Sequence, residues 1–141
     1  DSAPLSKPKN TTILSSIQLD GTLRYTTFSG GTTVERFKRY LETDLLPHLN
    51  GNSVLIMDNM KSHHAKAVRN LLDSSGVRYI YLPPYSPDLN PIEKLWSKVK
   101  AFLRKFKART LDALPNAIQN AFHAVTVSDC SGWFRFCGYA L

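Results

Sequence analysis

Cysteine is nearly absent: Cys130 and Cys137 are the only two in 141 residues. That excludes a disulfide framework and fits a reducing cytoplasm, where the protein is expected to act. Together with His123 the two cysteines recur every seven residues, but three ligands without a fourth, and without short paired spacing, do not make a zinc site. Free, partly buried thiols are expected instead. Long apolar runs are missing too. None approaches the roughly 20 residues of a membrane span, and the opening Asp-Ser-Ala-Pro-Leu-Ser-Lys-Pro has no apolar signal core. Acidic side chains are in the minority, 11 against 18 Lys and Arg, for a net charge of +7. Such an excess suits an anionic partner, nucleic acid first, or else an ordinary basic surface that keeps the chain soluble.

What is present is enough apolar residue, 43%, to build one core, and a length that suits one domain over residues 1–141. Residues 1–10, with two prolines and two lysines, read as a loop or leader. Thr11 to Leu19, the turn Asp20-Gly21 and Thr22 to Phe28 predict a β-hairpin. Thr32 or Thr33 can cap a helix carrying Val34, Phe37, Leu41 and Leu45, which should stop before Pro47. Ser53 to Met57 is a continuous apolar run suited to a strand buried on both faces. Next come a helix from about Ala65 to Leu72, a stop at Gly76 and a strand from Val77 to Leu82. This alternation argues for an α/β layered sheet whose last two strands run parallel. A stiff loop, Pro83 to Asn90, then leads into a helix from about Pro91 to Phe106 and another from about Leu111 to Val125.

Two carboxylates draw attention. Asp58 stands where the buried strand leaves the sheet, the place where open α/β folds put ligand-binding residues, although an Asp-Asn pair there also serves as a turn or cap. Glu93 falls in the first turn of the long helix, 34 residues intervening. That interval accommodates a helix, a parallel strand and a return to the same sheet edge. On the helical wheel Ser97, Lys100, Arg104 and Lys107 lie near Glu93, while Leu95, Val99, Phe102, Leu103 and Phe106 face the other way. An acid near a helix start is also favoured by the helix dipole, and a basic row is also an ordinary solvated face. Phosphodiester cleavage uses carboxylate oxygens to hold two Mg²⁺ ions, which needs hard ligands and no cysteine. His63 and His64 are poor ligands for such an ion; His63 suits a site-shaping or DNA-contacting place, and His64 receives no role. The aromatics Phe102, Phe106, Phe122, Trp133, Phe134 and Phe136 read as packing.

Val-Leu-Ile-Met-Asp-Asn-Met-Lys-Ser-His (54–63) and, after it, Leu-Pro-Pro-Tyr-Ser-Pro-Asp-Leu-Asn-Pro-Ile-Glu-Lys-Leu-Trp-Ser-Lys-Val-Lys (82–100) resemble the Tc/mariner superfamily of transposases, in its bacterial insertion-sequence branch. The 34-residue interval matches that family's aspartate-to-glutamate spacing, and Gly132 to Tyr139 is similar to the tail of several bacterial members. The resemblance implies a ribonuclease-H-like mixed sheet flanked by helices and cut-and-paste DNA transposition through two divalent metal ions, Mg²⁺ or Mn²⁺. It makes Asp58 the second acid and Glu93 the third, both catalytic and metal-binding. Asn59 and His63 match an Asp-Asn…His pattern that shapes the site or touches DNA. Tyr85, Ser86, Pro87, Asn90 and Pro91 match the loop that places the glutamate, and Trp96 a packing position. Lys98, Lys100, Arg104 and Lys105 are expected to bind the DNA backbone.

The family's first aspartate lies on a central strand well upstream, and only 57 residues precede Asp58 here. Asp1 is in the wrong context and Asp20 is in the hairpin turn, so neither takes that part. The chain is therefore expected to be a truncated DDE catalytic domain, without its first strand and inactive alone, which is either marginally stable or completes its sheet with a second copy or a complementing chain. Two alternatives stay open: a non-catalytic basic nucleic-acid-binding remnant, and a ribonuclease-H-like nuclease unconnected with transposition.

Overall fold

The structure, a computed structural model, describes residues 11–106 and 114–139. These residues divide between two compact units. The first gathers Arg24–Tyr81 with the start of the hairpin, and the second gathers Ser16–Leu23 with the chain from Leu82 onward. The expected hairpin is there, β1 (Thr11–Ile17) and β2 (Leu23–Ser29). Its turn is closed by Gly21 N–H donating to the Gln18 carbonyl and Gln18 N–H to that of Thr22, both at 3.0 Å.

In the first unit α1 (Val34–Tyr40) starts at Thr33, whose hydroxyl accepts from the Arg36 amide at 3.2 Å. Of the predicted stripe Phe37, Leu41 and Leu45 are buried and Val34 partly so, and Tyr40 joins them. The helix does not simply end before Pro47. Its winding widens to a π-turn over Leu41–Leu45 and then tightens to a 3₁₀ turn over Leu46–His48 that contains the proline. A proline cannot donate and its ring crowds the carbonyl four residues back, so a change of winding is the local solution.

Strands β3 (Val54–Met57) and β4 (Arg78–Tyr81) pair in parallel, Val54 opposite Arg78 and Met57 opposite Tyr81, with α2 (Lys66–Ser75) between them in sequence. Among the described residues the hairpin and this parallel pair form two separate two-stranded sheets. Side chains alternate across the pair. Leu55, Met57, Tyr79 and Tyr81 pack with Phe37, Leu41, Val68 and Leu72. Val54 and Ile80, on the other face, remain 46% and 50% exposed. The strand expected to be buried on both faces therefore has one core face, because α1 and α2 both pack in the cluster that this face joins. Gly76 ends α2 with φ +78°, as its position in the sequence predicts.

The second unit is built on α3 (Ile92–Phe106), α4 (Leu114–His123) and α5 (Val127–Phe136). The expected start of the second helix at Leu111 lies outside the described residues. Leu95 and Val99 are wholly buried, with Ile118, Ala121, Phe122 and Cys130. Trp96 meets Phe122 edge to face, centroids 6.4 Å apart. Helix α5 takes up most of the segment read from sequence as a tail. Thr126 and Asp129 form a capping box at its start, each side chain accepting from the other's backbone amide at 3.0 Å. The hairpin turn reaches this helix: a Cβ on Gly21 would stand 2.7 Å from Val127 Cγ2.

Two glycine substitutions separate backbone strain from crowding. Gly76→Ala, with nothing within 4 Å of the new methyl, should cost about 1 kcal/mol from its left-handed backbone alone. Gly21→Ala should cost more because Val127 is in the way. Leu95→Ala should cost about 2–5 kcal/mol as a core cavity. Urea unfolding ranks all three, and a Gly21→Ala cost at or below that of Gly76→Ala would contradict the packing at the turn.

Candidate active site

Asp58 comes directly after the last residue of β3, so the strand's direction carries its carboxylate to the C-terminal edge of the parallel pair. The chain then runs through a short 3₁₀ turn, Lys61–His64, before α2. That turn brings His63 back to Asp58: Nδ1 lies 2.7 Å from Oδ1. The Met60 amide donates to the same oxygen at 3.3 Å, closing an Asx turn. Both contacts fall on Oδ1. The imidazole is itself held. It stacks on Phe37 at 4.2 Å, and the Tyr81 hydroxyl donates to the His63 carbonyl at 2.5 Å. His63 is 12% exposed and Asp58 43%, so the ring sits in the protein and the carboxylate faces water.

This arrangement keeps Asp58 charged. The hydrogen bond from His63 holds its carboxyl below the ordinary aspartate value, partial burial opposes that, and the charge of His63 and the Met60 amide add to the lowering. An ionised carboxylate is a hard donor of the sort a divalent cation takes.

Asn59 does not turn toward His63. Its Oδ1 meets Nε2 of His64, whose Nδ1 is 2.7 Å from Arg69 Nη2. His64 also stacks on Tyr81 at 3.9 Å. Two neighbouring histidines thus hold the two neighbouring residues Asp58 and Asn59. The part played by His64, Arg69 and Tyr81 was missed in the sequence; the available signal was the doubled histidine with an arginine five positions on.

In the second unit the loop before α3 is fixed by its own polar atoms. Leu89 N–H donates to Ser86 O and Asn90 N–H to Pro87 O, each at 3.1 Å, and Ser86 Oγ donates to Pro84 O at 3.3 Å. Asn90 caps the start of α3: its Oδ1 accepts from the Ile92 amide at 3.2 Å, and its carbonyl accepts from Glu93 N–H at 3.1 Å. From the far end of the unit the Tyr139 hydroxyl donates to Leu89 O at 2.7 Å. Glu93 lies in the first turn of α3, where the helix dipole favours an anion. Tyr85 is fully exposed and left-handed, φ +59°, a strained conformation for a residue with a Cβ.

Behind Glu93, Lys100 and Arg104 are exposed along the helix, as is Lys105. Lys98 differs from these: its Nζ lies 2.5 Å from Asp129 Oδ2, tying α3 to the capping box of α5. This pair engages the Lys98 amine within the second unit, with its side chain still 37% exposed. Asp58 belongs to the first unit and Glu93 to the second. Among the described residues no three His, Cys, Asp or Glu side chains gather as a metal site. No described helix is long and apolar enough to cross a membrane.

A family model for the DDE superfamily endonuclease matches residues 3–115. The Tc1 transposase of Caenorhabditis elegans is 31% identical over 97 residues, 66% of this chain and 36% of that protein. The Tcb2 transposase of Caenorhabditis briggsae is 31% identical over 75 residues, 53% of this chain and 28% of its own length. The chain thus spans about a third of the curated relatives it matches. Among solved structures, the Mos1 transposase catalytic domain with raltegravir and manganese superposes with a TM-score of 0.73 at 21% identity, covering 90% of this chain and 70% of that one. The Mos1 paired-end complex with the left transposon end gives 0.74 at 19% identity, covering 92% and 42%. The ribonuclease-H-like fold expected from the sequence is therefore the fold observed.

Since the carboxyl of Asp58 titrates lower folded than unfolded, its contribution to stability is present above about pH 4, the unfolded value, and is lost as pH falls through the folded one. Asp129, lowered chiefly by the hydrogen bond from Lys98, acts in the same direction. His63→Ala should raise the Asp58 midpoint in a ¹³C carboxyl titration. An unchanged midpoint would show that His63 does not hold the charge.

Proposed function

Because the chain belongs to the DDE superfamily of endonucleases, we propose that it is part of the catalytic core of a DNA transposase that cleaves and joins DNA strands with divalent metal ions. The observation that carries this reading is the Asp58 carboxylate, held through Oδ1 by His63 at the C-terminal edge of the parallel strands and 43% exposed. The donor chemistry fits Mg²⁺ or Mn²⁺: Asp58 and Glu93 offer only hard oxygens, and the imidazole of His63 is already engaged by the carboxylate. Asp58 and Glu93 are the residues that would each hold an ion, and the chemistry such ions would supply is activation of the attacking water or hydroxyl and stabilisation of the leaving oxygen. The first acid implied by the family resemblance is assigned to no residue here.

The chain's own residues do the rest. His63 keeps Asp58 charged and oriented; Asn90, with Ser86 and Pro87, sets the helix start that presents Glu93. Lys100, Arg104 and Lys105 lie exposed on α3 and take the phosphate backbone of DNA, an interaction that weakens with salt. Lys98, paired with Asp129 and 37% exposed, joins them. A second copy of the chain or a complementing one pairs with its sheet, and the protein, with two cysteines in 141 residues, acts in a reducing cytoplasm.

A second reading, DNA binding without catalysis, rests on that same basic row. Calorimetric titration with Mn²⁺ separates the two. Binding by the wild-type chain that is lost in both Asp58→Ala and Glu93→Ala is the expected result. Binding that survives both substitutions, or is absent from the wild type while DNA binding remains, would favour the non-catalytic reading.

A further inference from the structure

Arg69 lies exposed on α2, its guanidinium carbon 5.4 Å from the centre of the Tyr81 ring on which His64 also stacks. Its Nη2 is 2.7 Å from His64 Nδ1, and His64 Nε2 meets Asn59 Oδ1. A guanidinium only donates, so His64 Nδ1 is the acceptor and carries no proton. The neutral ring then has its one proton on Nε2 and needs an acceptor opposite, which is the Asn59 oxygen. Imidazole tautomer and amide orientation, which heavy-atom positions alone leave open, are both set by the arginine. The Asn59 NH₂ is therefore turned away from His64 and offers its donors next in the chain to Asp58.

The geometry points to a phosphodiester-oxygen subsite formed by the Asn59 amide and the Arg69 guanidinium beside Asp58, with His64 as the residue that positions both. This rests on the DNA-processing reading above. Asp58 alone repels a phosphate, and Arg69 is the cation in this network that offsets it. The fold has no need of such a chain of bonds: the stack of His64 on Tyr81 already secures the turn, whereas ordering two exposed polar side chains costs rotamer freedom. Beyond these contacts the Asn59 NH₂ and the Arg69 guanidinium are donors only, which suits an anion.

The test uses the full chain, ¹⁵N-histidine spectra to read the tautomer, and fluorescence anisotropy with a short duplex DNA at low salt without divalent ions. His64 should carry its proton on Nε2. His64→Ala should weaken DNA binding about tenfold, the loss of a hydrogen bond to a charged group. His64→Gln, whose amide keeps one donor and one acceptor, should bind close to wild type. Arg69→Ala should weaken binding comparably, and adding His64→Ala to it should cost little more. Arg69→Ala, at an exposed helix position, carries the comparison if His64→Ala does not fold. A proton on Nδ1, or unaltered binding by both alanine variants, overturns the subsite. If Lys100→Ala with Arg104→Ala still weakens binding in that case, the DNA reading stands without it; a wild-type chain with no salt-sensitive binding removes both.

Discussion

The ring of His63 lies 2.7 Å from the carboxylate of Asp58 and lowers its pKa below the ordinary aspartate value. The rest of the first unit is arranged around keeping that ring in place. Phe37 lies against one face, and Tyr81, at the end of β4, bonds the His63 carbonyl. Since β4 pairs with β3 in a register that sets Tyr81 opposite Met57, the tyrosine arrives beside the turn after Asp58. A one-residue slip would put Tyr81 on the open face and free the turn. Strand register, aromatic stacking and carboxylate ionisation are thus one linked constraint.

The second unit solves a simpler problem, which is to hold a helix start still while its anion remains in reach of water. The loop from Pro84 to Asn90 bonds to itself through Ser86, Pro87 and Asn90, and Tyr139 closes it from the other end of the unit. Burial of Leu95 and Val99 fixes the rotation of α3 about its axis. Glu93, Ser97, Lys100 and Arg104 are then left on the opposite side by the period of the helix. Lys98, part of the way round, meets Asp129, which belongs to the capping box of α5. One carboxylate thereby caps one helix and anchors another.

Membership of the DDE superfamily gives these local arrangements a common chemistry without assigning each part. Asp58 and Glu93 are hard oxygen donors on secondary structure, one held charged by a histidine and the other placed by a capped helix. His64, outside any metal role, gains one through Asn59 and Arg69. That a short segment holds two histidines with distinct partners shows why residue type alone does not assign function at such a turn.

The elements were largely legible in the sequence. Apolar spacing gave α1 and α3, the Asp20-Gly21 turn gave the hairpin, Gly76 marked the end of α2, and the carboxylate positions came from where β3 ends and α3 begins. These are local properties, set by side-chain period and by backbone angles that few residues tolerate. Helix α5 was legible too, through Thr126 and Asp129 three positions apart, but the apolar tail obscured it. What only the tertiary structure decided was partnership: His63 with Asp58, His64 with Asn59 and Arg69, Lys98 with Asp129, and which face of β3 is covered. A side chain's partner depends on what the fold brings beside it, and an amine in a basic row is identical in sequence whether it meets a phosphate or an aspartate.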